Sequence, residues 1–402
     1  VGRGPASADL AAAPWPQFRG PNRDGISLET GLLDRWPADG PRLAWTATGL
    51  GAGFSSVAVA QGMVFTMGNQ GNEECLLALD LRDGRPLWKA ACGPAFSENR
   101  GDGPRCTPTV DGDRVYALGA NGGLICAELR TGRILWRKDL LREFDARNIT
   151  WGISESVLID GNRLICTPGG RQATMVALDK RDGSVLWRVH VPEAQGAGYA
   201  SAIAATIGSV RQYIQFTSRA VIGVRAEDGQ FLWSDNSSAN STANCSMPVV
   251  YGDHVFTASG YGTGGALLRL QSQGNRTTAT RVYETKDMKN HHGGMIVVDG
   301  YLYGSNDPGI LTCMELMTGR VVWSDRSVGK ASLTYADGHL YVRSEGGPVA
   351  LVEATPEGYR EKGRFRQPQR SDKNSWAYPV VADGKLFLRD MDVLLVYDIR
   401  AR

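Results

Sequence analysis

Short apolar segments separated by Gly-centred polar turns run the length of this chain. One phrase, a small turn leading into an alternating apolar strand, occurs at Gln61-Gly62-Met63-Val64-Phe65, Asp111-Gly112-Asp113-Arg114-Val115-Tyr116 and Asp160-Gly161-Asn162-Arg163-Leu164-Ile165. It returns at Tyr251-Gly252, Asp299-Gly300, Asp337-Gly338 and Asp383-Gly384, with a degenerate copy at Ile207-Gly208. A second phrase sets Gly four residues before Trp: Gly84 and Trp88, Gly132 and Trp136, Gly183 and Trp187, Gly229 and Trp233, Gly319 and Trp323. Glycine suits both turns because one turn residue must reach positive φ. Each unit therefore reads as strand, Gly turn, strand, strand, Gly turn and a Trp-bearing outer strand.

Eight such units at a mean spacing of about 46 residues match the roughly 40–50 of four-stranded blades. The spacing predicts an all-β fold, an eight-bladed β-propeller of four-stranded antiparallel blades. The last unit, from Trp376 to Ile399, has three strands, and the missing one stands at Pro41-Arg42-Leu43-Ala44-Trp45. An N-terminal strand that completes the eighth blade closes the ring and leaves no open sheet edge. Residues 41–402 are thus expected to form one propeller, 14–40 an N-terminal extension packed on it, and 1–13 a disordered leader remnant. Helical periodicity is nearly absent, with one helical turn expected near Lys138–Arg142.

Fifty glycines fit the many turns, and a net charge of +2 argues against a nucleic-acid partner. The alternating Arg360, Lys362, Arg364 and Arg366 fall on one face of an outer strand, as charges guarding a sheet edge do. No apolar run approaches the ~20 residues of a membrane-spanning helix. Seven cysteines include no CxxC or adjacent pair. A hairpin pairing Asp80 near Leu87 sets Cys75 opposite Cys92, compatible with a disulfide in an oxidising compartment or with two reduced thiols. Cys106, Cys126, Cys166, Cys245 and Cys313 read as small buried hydrophobes.

The phrases Ala-Leu-Asp-Leu-Arg-Asp-Gly-Arg-Pro-Leu-Trp (78–88) and Ala-Leu-Asp-Lys-Arg-Asp-Gly-Ser-Val-Leu-Trp (177–187) resemble the tryptophan-docking motif of pyrroloquinoline quinone (PQQ)-type propeller repeats. That superfamily holds PQQ-dependent alcohol dehydrogenases and non-enzymatic scaffolds such as BamB. The opening Trp15-Pro16-Gln17-Phe18-Arg19-Gly20-Pro21-Asn22-Arg23-Asp24-Gly25 is similar to the leader of planctomycete-type PQQ-like repeat proteins. The resemblance implies a periplasmic or otherwise exported protein, although no signal peptide is visible. Its enzymes stack PQQ between a Trp and two adjacent bonded cysteines and add a Glu/Asn-bound calcium and a catalytic Asp. With no adjacent cysteine pair, this chain is expected to hold no cofactor, PQQ with calcium being the alternative.

In a propeller the segments preceding the inner strands gather at one mouth of the central channel, where loop-borne sites collect. The candidates there are Arg105, Trp151, Glu155, Tyr199, Asn244, His291, His292 and Trp376. Neighbouring residues on a strand point to opposite sides, so His291 and His292 are not expected to share a metal. His292 alone, with Glu155, is the weak candidate for a cation site or an acid–base pair; otherwise the imidazoles bond neighbouring blades. Arg105 fits a carboxylate or phosphate clamp or a tie between inner strands. Trp151 and Trp376 suit a flat or sugar ring or a filled channel. Trp45, Trp88, Trp136, Trp187, Trp233 and Trp323 recur at equivalent outer-strand positions and read as blade-docking plates. The function expected is a non-catalytic exported scaffold that offers a protein or a small ligand its channel mouth. The alternatives are a small quinoprotein oxidoreductase and a carbohydrate- or metal-binding module.

Overall fold

The computed structural model describes residues 15–401, so the leader remnant expected over 1–13 lies outside the described residues. Eight four-stranded antiparallel sheets follow one another round a ring, making an eight-bladed β-propeller. Blade 1 spans residues 58–94, blade 2 109–139, blade 3 158–189 and blade 4 203–235. Blade 5 spans 249–285, blade 6 295–325 and blade 7 331–366. Blade 8 combines three strands within 380–398 with Arg42–Ala47, whose Arg42 pairs with Asp398 and Trp45 with Val396. Among the described residues, helix is confined to a turn at Leu140–Glu143, capped by the Asp139 carboxylate, and a 3-10 turn at Pro192–Ala194.

The Gly-to-Trp spacing has a packing cause. The outer-strand Trp of one blade lies under the turn glycine of the next: a Cβ at Gly132 would come 2.4 Å from the Trp88 ring, and one at Gly229 2.6 Å from Trp187. The indole N–H then donates to a backbone carbonyl of that next blade, Trp88 to Leu129 (3.1 Å), Trp136 to Lys180 (3.1 Å), Trp187 to Ala226 (3.0 Å) and Trp323 to Thr355 (2.8 Å). Gly84 covers Trp45 in the same way. Trp233 departs from the pattern and donates within its own blade, to Gln212 Oε1 at 2.7 Å. In blade 5 Tyr283 takes the position, under Gly319 and with its hydroxyl on Leu316 O at 2.5 Å.

Blade 7 has Gly363 where the plate belongs, paired with Leu351. Trp36 of the N-terminal extension fills that slot: its Cβ lies where a Gly363 side chain would start, 2.7 Å away, and its ring meets Phe365 at 5.3 Å and Tyr341 at 5.9 Å. Upstream, the extension occupies the channel. Trp15 pairs with Val59 of blade 1, Pro16 O accepts from Val110 N of blade 2, and Gly25 O accepts from Tyr335 N of blade 7. The Arg23 guanidinium donates to Ser156 O and Val157 O ahead of blade 3, and Arg19 donates to Met295 O of blade 6.

A one-residue register shift recurs in the outer strand pair of all eight blades. It corrects the cysteine arithmetic. Ala78 pairs with Trp88 and Leu79 with Pro86, so Leu87 is bulged out and Cys75 faces Ala91 rather than Cys92. A second shift leaves Cys92 between pairs. Cys75 belongs to a core cluster shared with blade 8 and Cys92 to a different one shared with blade 2, and both are free thiols. Three side chains of the basic run meet carboxylates, Arg360 and Lys362 pairing with Glu353 and Arg364 with Glu361.

Candidate functional site

At the mouth where the inner strands begin, the ring opens into a cup of about 360 Å³. Arg105, Trp151, Tyr199, His291, His292 and Trp376 all line it, brought together from blades 2, 3, 4, 6 and 8. The channel segment closes its base, since Phe18 also lines the cup and packs edge-on against Tyr378 at 5.1 Å. The cup is therefore blind.

Two proposed members fall outside it. Glu155 is sealed behind the wall, 3 % exposed, accepting from Thr167 N (2.6 Å), Thr167 Oγ1 (3.0 Å) and Gln215 Nε2 (3.0 Å). Burial pushes its carboxyl up to about 7, yet it has no contact with His292, so the Glu155–His292 pair does not form. Asn244 is a loop staple whose amide donates to Thr217 O and Ser218 O, both at 3.1 Å. A buried amide with all its bonds spent in this way is structural.

The histidines correct a second expectation. They sit in a loop instead of a strand, so the alternation argument fails and both rings face the cup, 5.3 Å apart. Each has its own partner. Lys330 Nζ donates to His291 Nδ1 at 2.6 Å and pairs with Asp307 at 3.0 Å. Burial, then the neighbouring His292 and Lys330, push the His291 pKa down to about 4, so its imidazole is neutral at pH 7. His292 Nε2 meets Glu345 Oε1 at 2.5 Å, and Trp376 Nε1 donates to the same oxygen at 2.8 Å. Burial raises the Glu345 pKa, but the His292 and Trp376 hydrogen bonds and the His292 and Lys330 charges outweigh it and hold the carboxylate down at about 2. An ionised Glu345 requires His292 to donate from Nε2, which leaves His292 Nδ1 as a buried atom with no partner. Among the described residues no three of His, Cys, Asp or Glu gather as a cation site.

Arg105 is committed to its own loop: it pairs with Glu98 at 3.0 Å, donates to Gly101 O at 2.8 Å, and lies over Phe96 (4.7 Å) and Phe54 (5.2 Å). Aromatic faces group on two walls. Trp376 leans on Phe54 at 4.9 Å and on His292 at 5.9 Å, while Trp151 lies against Tyr199 at 5.6 Å. Glu345 and Tyr261 were not foreseen, because they come from the turns between second and third strands, which reach the same mouth as the segments before the inner strands. Lys330 was missed too, although it directly precedes the inner strand of blade 7. Phe18 enters through the channel segment, which no repeat pattern announces.

Comparison with known proteins yields one consistent family. The profile described as outer membrane protein assembly factor BamB matches residues 33–142 and 72–325. BamB of Yersinia pestis is 26% identical over 331 residues, covering 70% of this chain and 81% of the relative. BamB of Moranella endobia is 24% identical over 263 residues, 61% of this chain and 64% of the relative. Among solved structures, BamB from Moraxella catarrhalis superposes with a TM-score of 0.62 at 13% identity, covering 87% of this chain and 95% of that one. Quinohemoprotein alcohol dehydrogenase from Comamonas testosteroni superposes with a TM-score of 0.65 at 12% identity over 98% and 82%. At such identities the structural likenesses speak for the fold alone.

Proposed function

The chain belongs to the family described as outer membrane protein assembly factor BamB, and from that membership we propose that it is an exported, periplasmic, non-catalytic propeller whose working surface is the blind cup at its loop-bearing mouth. Its role is to hold a partner, a protein segment or a small ligand, in the service of envelope assembly. The observation that carries this reading is the chemistry of the cup. Acid–base catalysis wants groups that titrate near neutrality. In the cup, burial pushes the Cys245 thiol up to about 12, His291 is displaced to about 4 and Glu345 to about 2. The two carboxyls raised by burial to about 7, Glu74 and Glu155, are only 1 % and 3 % exposed and neither lines the cup. No helix of the described residues is long and apolar enough to cross a membrane.

PQQ with calcium fits these residues poorly. Every cysteine is a free thiol, none is adjacent to another in the chain, and Cys245 alone lines the cup. The carboxylate nearest the aromatic wall, Glu345, already spends one oxygen on His292 and Trp376. Two measurements test the reading. A photo-crosslinking residue at Tyr261, 49 % exposed on the rim, should give a discrete adduct in living cells that disappears with Trp376→Ala. Saturable spectral change with PQQ and calcium, coupled to dye-linked alcohol oxidation, would replace the binding reading with the oxidoreductase.

A further inference from the structure

Resting on the binding reading above, we propose that the cup takes the end of a neutral saccharide chain, one or two sugar rings held between the aromatic walls and bonded by Glu345, His292 and Thr107. The first argument is charge. Arg105 is matched by Glu98, Lys330 by Asp307 and His292 by Glu345, all within 3.0 Å. Arg100 is exposed, where solvent screens it. A ligand entering this cup is asked for no counter-charge, and an anionic one would have to displace a carboxylate already in place.

The second argument is the set of bonds left open. Among the described residues no donor meets Glu345 Oε2, and the side chain, 21% exposed, lines the cup. His292 Nδ1 and Thr107 Oγ1 are buried without partners, and Thr107 is only 1 % exposed. A carboxylate oxygen, an imidazole nitrogen and a hydroxyl form a mixed set that vicinal hydroxyls satisfy, since each sugar hydroxyl both donates and accepts. Burying such atoms unpaired is costly, so a ligand that pairs them gains specificity.

The third argument is shape. Trp376, from the segment before blade 8, stands four blades from Tyr199, and Trp151, before blade 3, stands four blades from Glu345 in blade 7. In an eight-membered ring those are opposite walls, so aromatic faces flank a central slot. Such faces accept the C–H face of a pyranose, an apolar surface edged by hydroxyls. The base is closed by Phe18, so a polymer cannot thread the channel and only a chain end enters. A volume of about 360 Å³ falls within the range of small-ligand pockets and leaves room for a terminal sugar.

The test uses the whole protein with cellopentaose, maltopentaose and chitopentaose, read by calorimetry and tryptophan fluorescence. At least one should bind saturably. Trp376→Ala and Trp151→Ala should each weaken it tenfold or more, and Thr107→Val, which removes only a hydroxyl, several-fold. The binding should be unchanged between low and high salt, as a neutral ligand requires. Absence of a saturable signal with all three sugars at millimolar concentration overturns the proposal, as does binding that survives both Trp substitutions. If a peptide adduct forms at Tyr261 while the sugars fail, the saccharide assignment falls and the binding reading stands; PQQ-dependent turnover removes both.

Discussion

Trp136→Ala removes a plate that sits between blades 2 and 3 and an indole N–H bonded to Lys180 O. The cavity left behind should cost about 3–5 kcal/mol, measured by chemical denaturation. The equivalent contact between blades 1 and 2 can be attacked from the glycine side. Gly132 holds φ at +73° against Trp88, and alanine there incurs about 1–2 kcal/mol for the left-handed backbone alone, with the 2.4 Å clash added. Wild-type stability in Gly132→Ala would mean that the glycine-on-tryptophan contact does not hold the blades together. A pH effect belongs at this scale as well. Glu74 is buried, one of its oxygens has no partner, and burial raises its carboxyl from 4.5 to about 7. The folded protein then binds a proton that the unfolded chain releases, so stability is full below about 4.5 and is lost as pH rises through 7. A displacement of that size amounts to about 3 kcal/mol. Glu74→Gln should flatten the decline between pH 5 and pH 8, and an equally steep decline in the variant would assign it to another group.

At the scale of the element, the slot of blade 7 is the most exposed to test. Trp36 is 4 % exposed and borrowed from outside the blade. Trp36→Ala should cost a similar 3–5 kcal/mol and should raise hydrogen exchange selectively in the strands Glu361–Arg366 and Arg42–Ala47; uniform exchange across all blades would refute the local role. This element also shows what the sequence could and could not disclose. Strand order and ring closure were legible because glycine turns mark every repeat and outer-strand tryptophans mark six of the eight. The substitute plates at Tyr283 and Trp36 were not, since one changes residue type and the other comes from a segment with no repeat. The Cys75–Cys92 register failed for a comparable reason: a bulge beside each plate shifts the pairing by one, and turn residues alone do not reveal a bulge. Six of the eight candidates drawn from a topological rule about loops line the cup. Glu155 and Asn244 obey that rule in position and break it in direction, because their side chains turn inward to satisfy buried donors and acceptors.

For the whole molecule, the first described residues do three separate jobs: filling the channel, supplying the plate of blade 7 and completing blade 8. Deletion through residue 25 should leave a closed, folded ring with a lower melting temperature and a cup without its Phe18 base. Deletion through residue 48 removes the edge strand, Trp36 and Trp45 together, which exposes unpaired strand edges, and should give aggregated protein by light scattering. A cooperatively folded 49–402 chain would show that ring closure is not needed for stability.

Because Arg42–Ala47 pairs with Val393–Asp398, a strand made before all the other strands of the ring is among the last to find its place. Roughly 350 residues separate the two, and at 5–20 residues per second their synthesis takes on the order of 20–70 s. Throughout that interval the early strand has no native partner, Trp36 waits only for blade 7, and seven blades can form before the strand docks. The protein thus has a built-in window in which a holding chaperone matters most, and that window ends only when the Lys385–Asp398 hairpin is released.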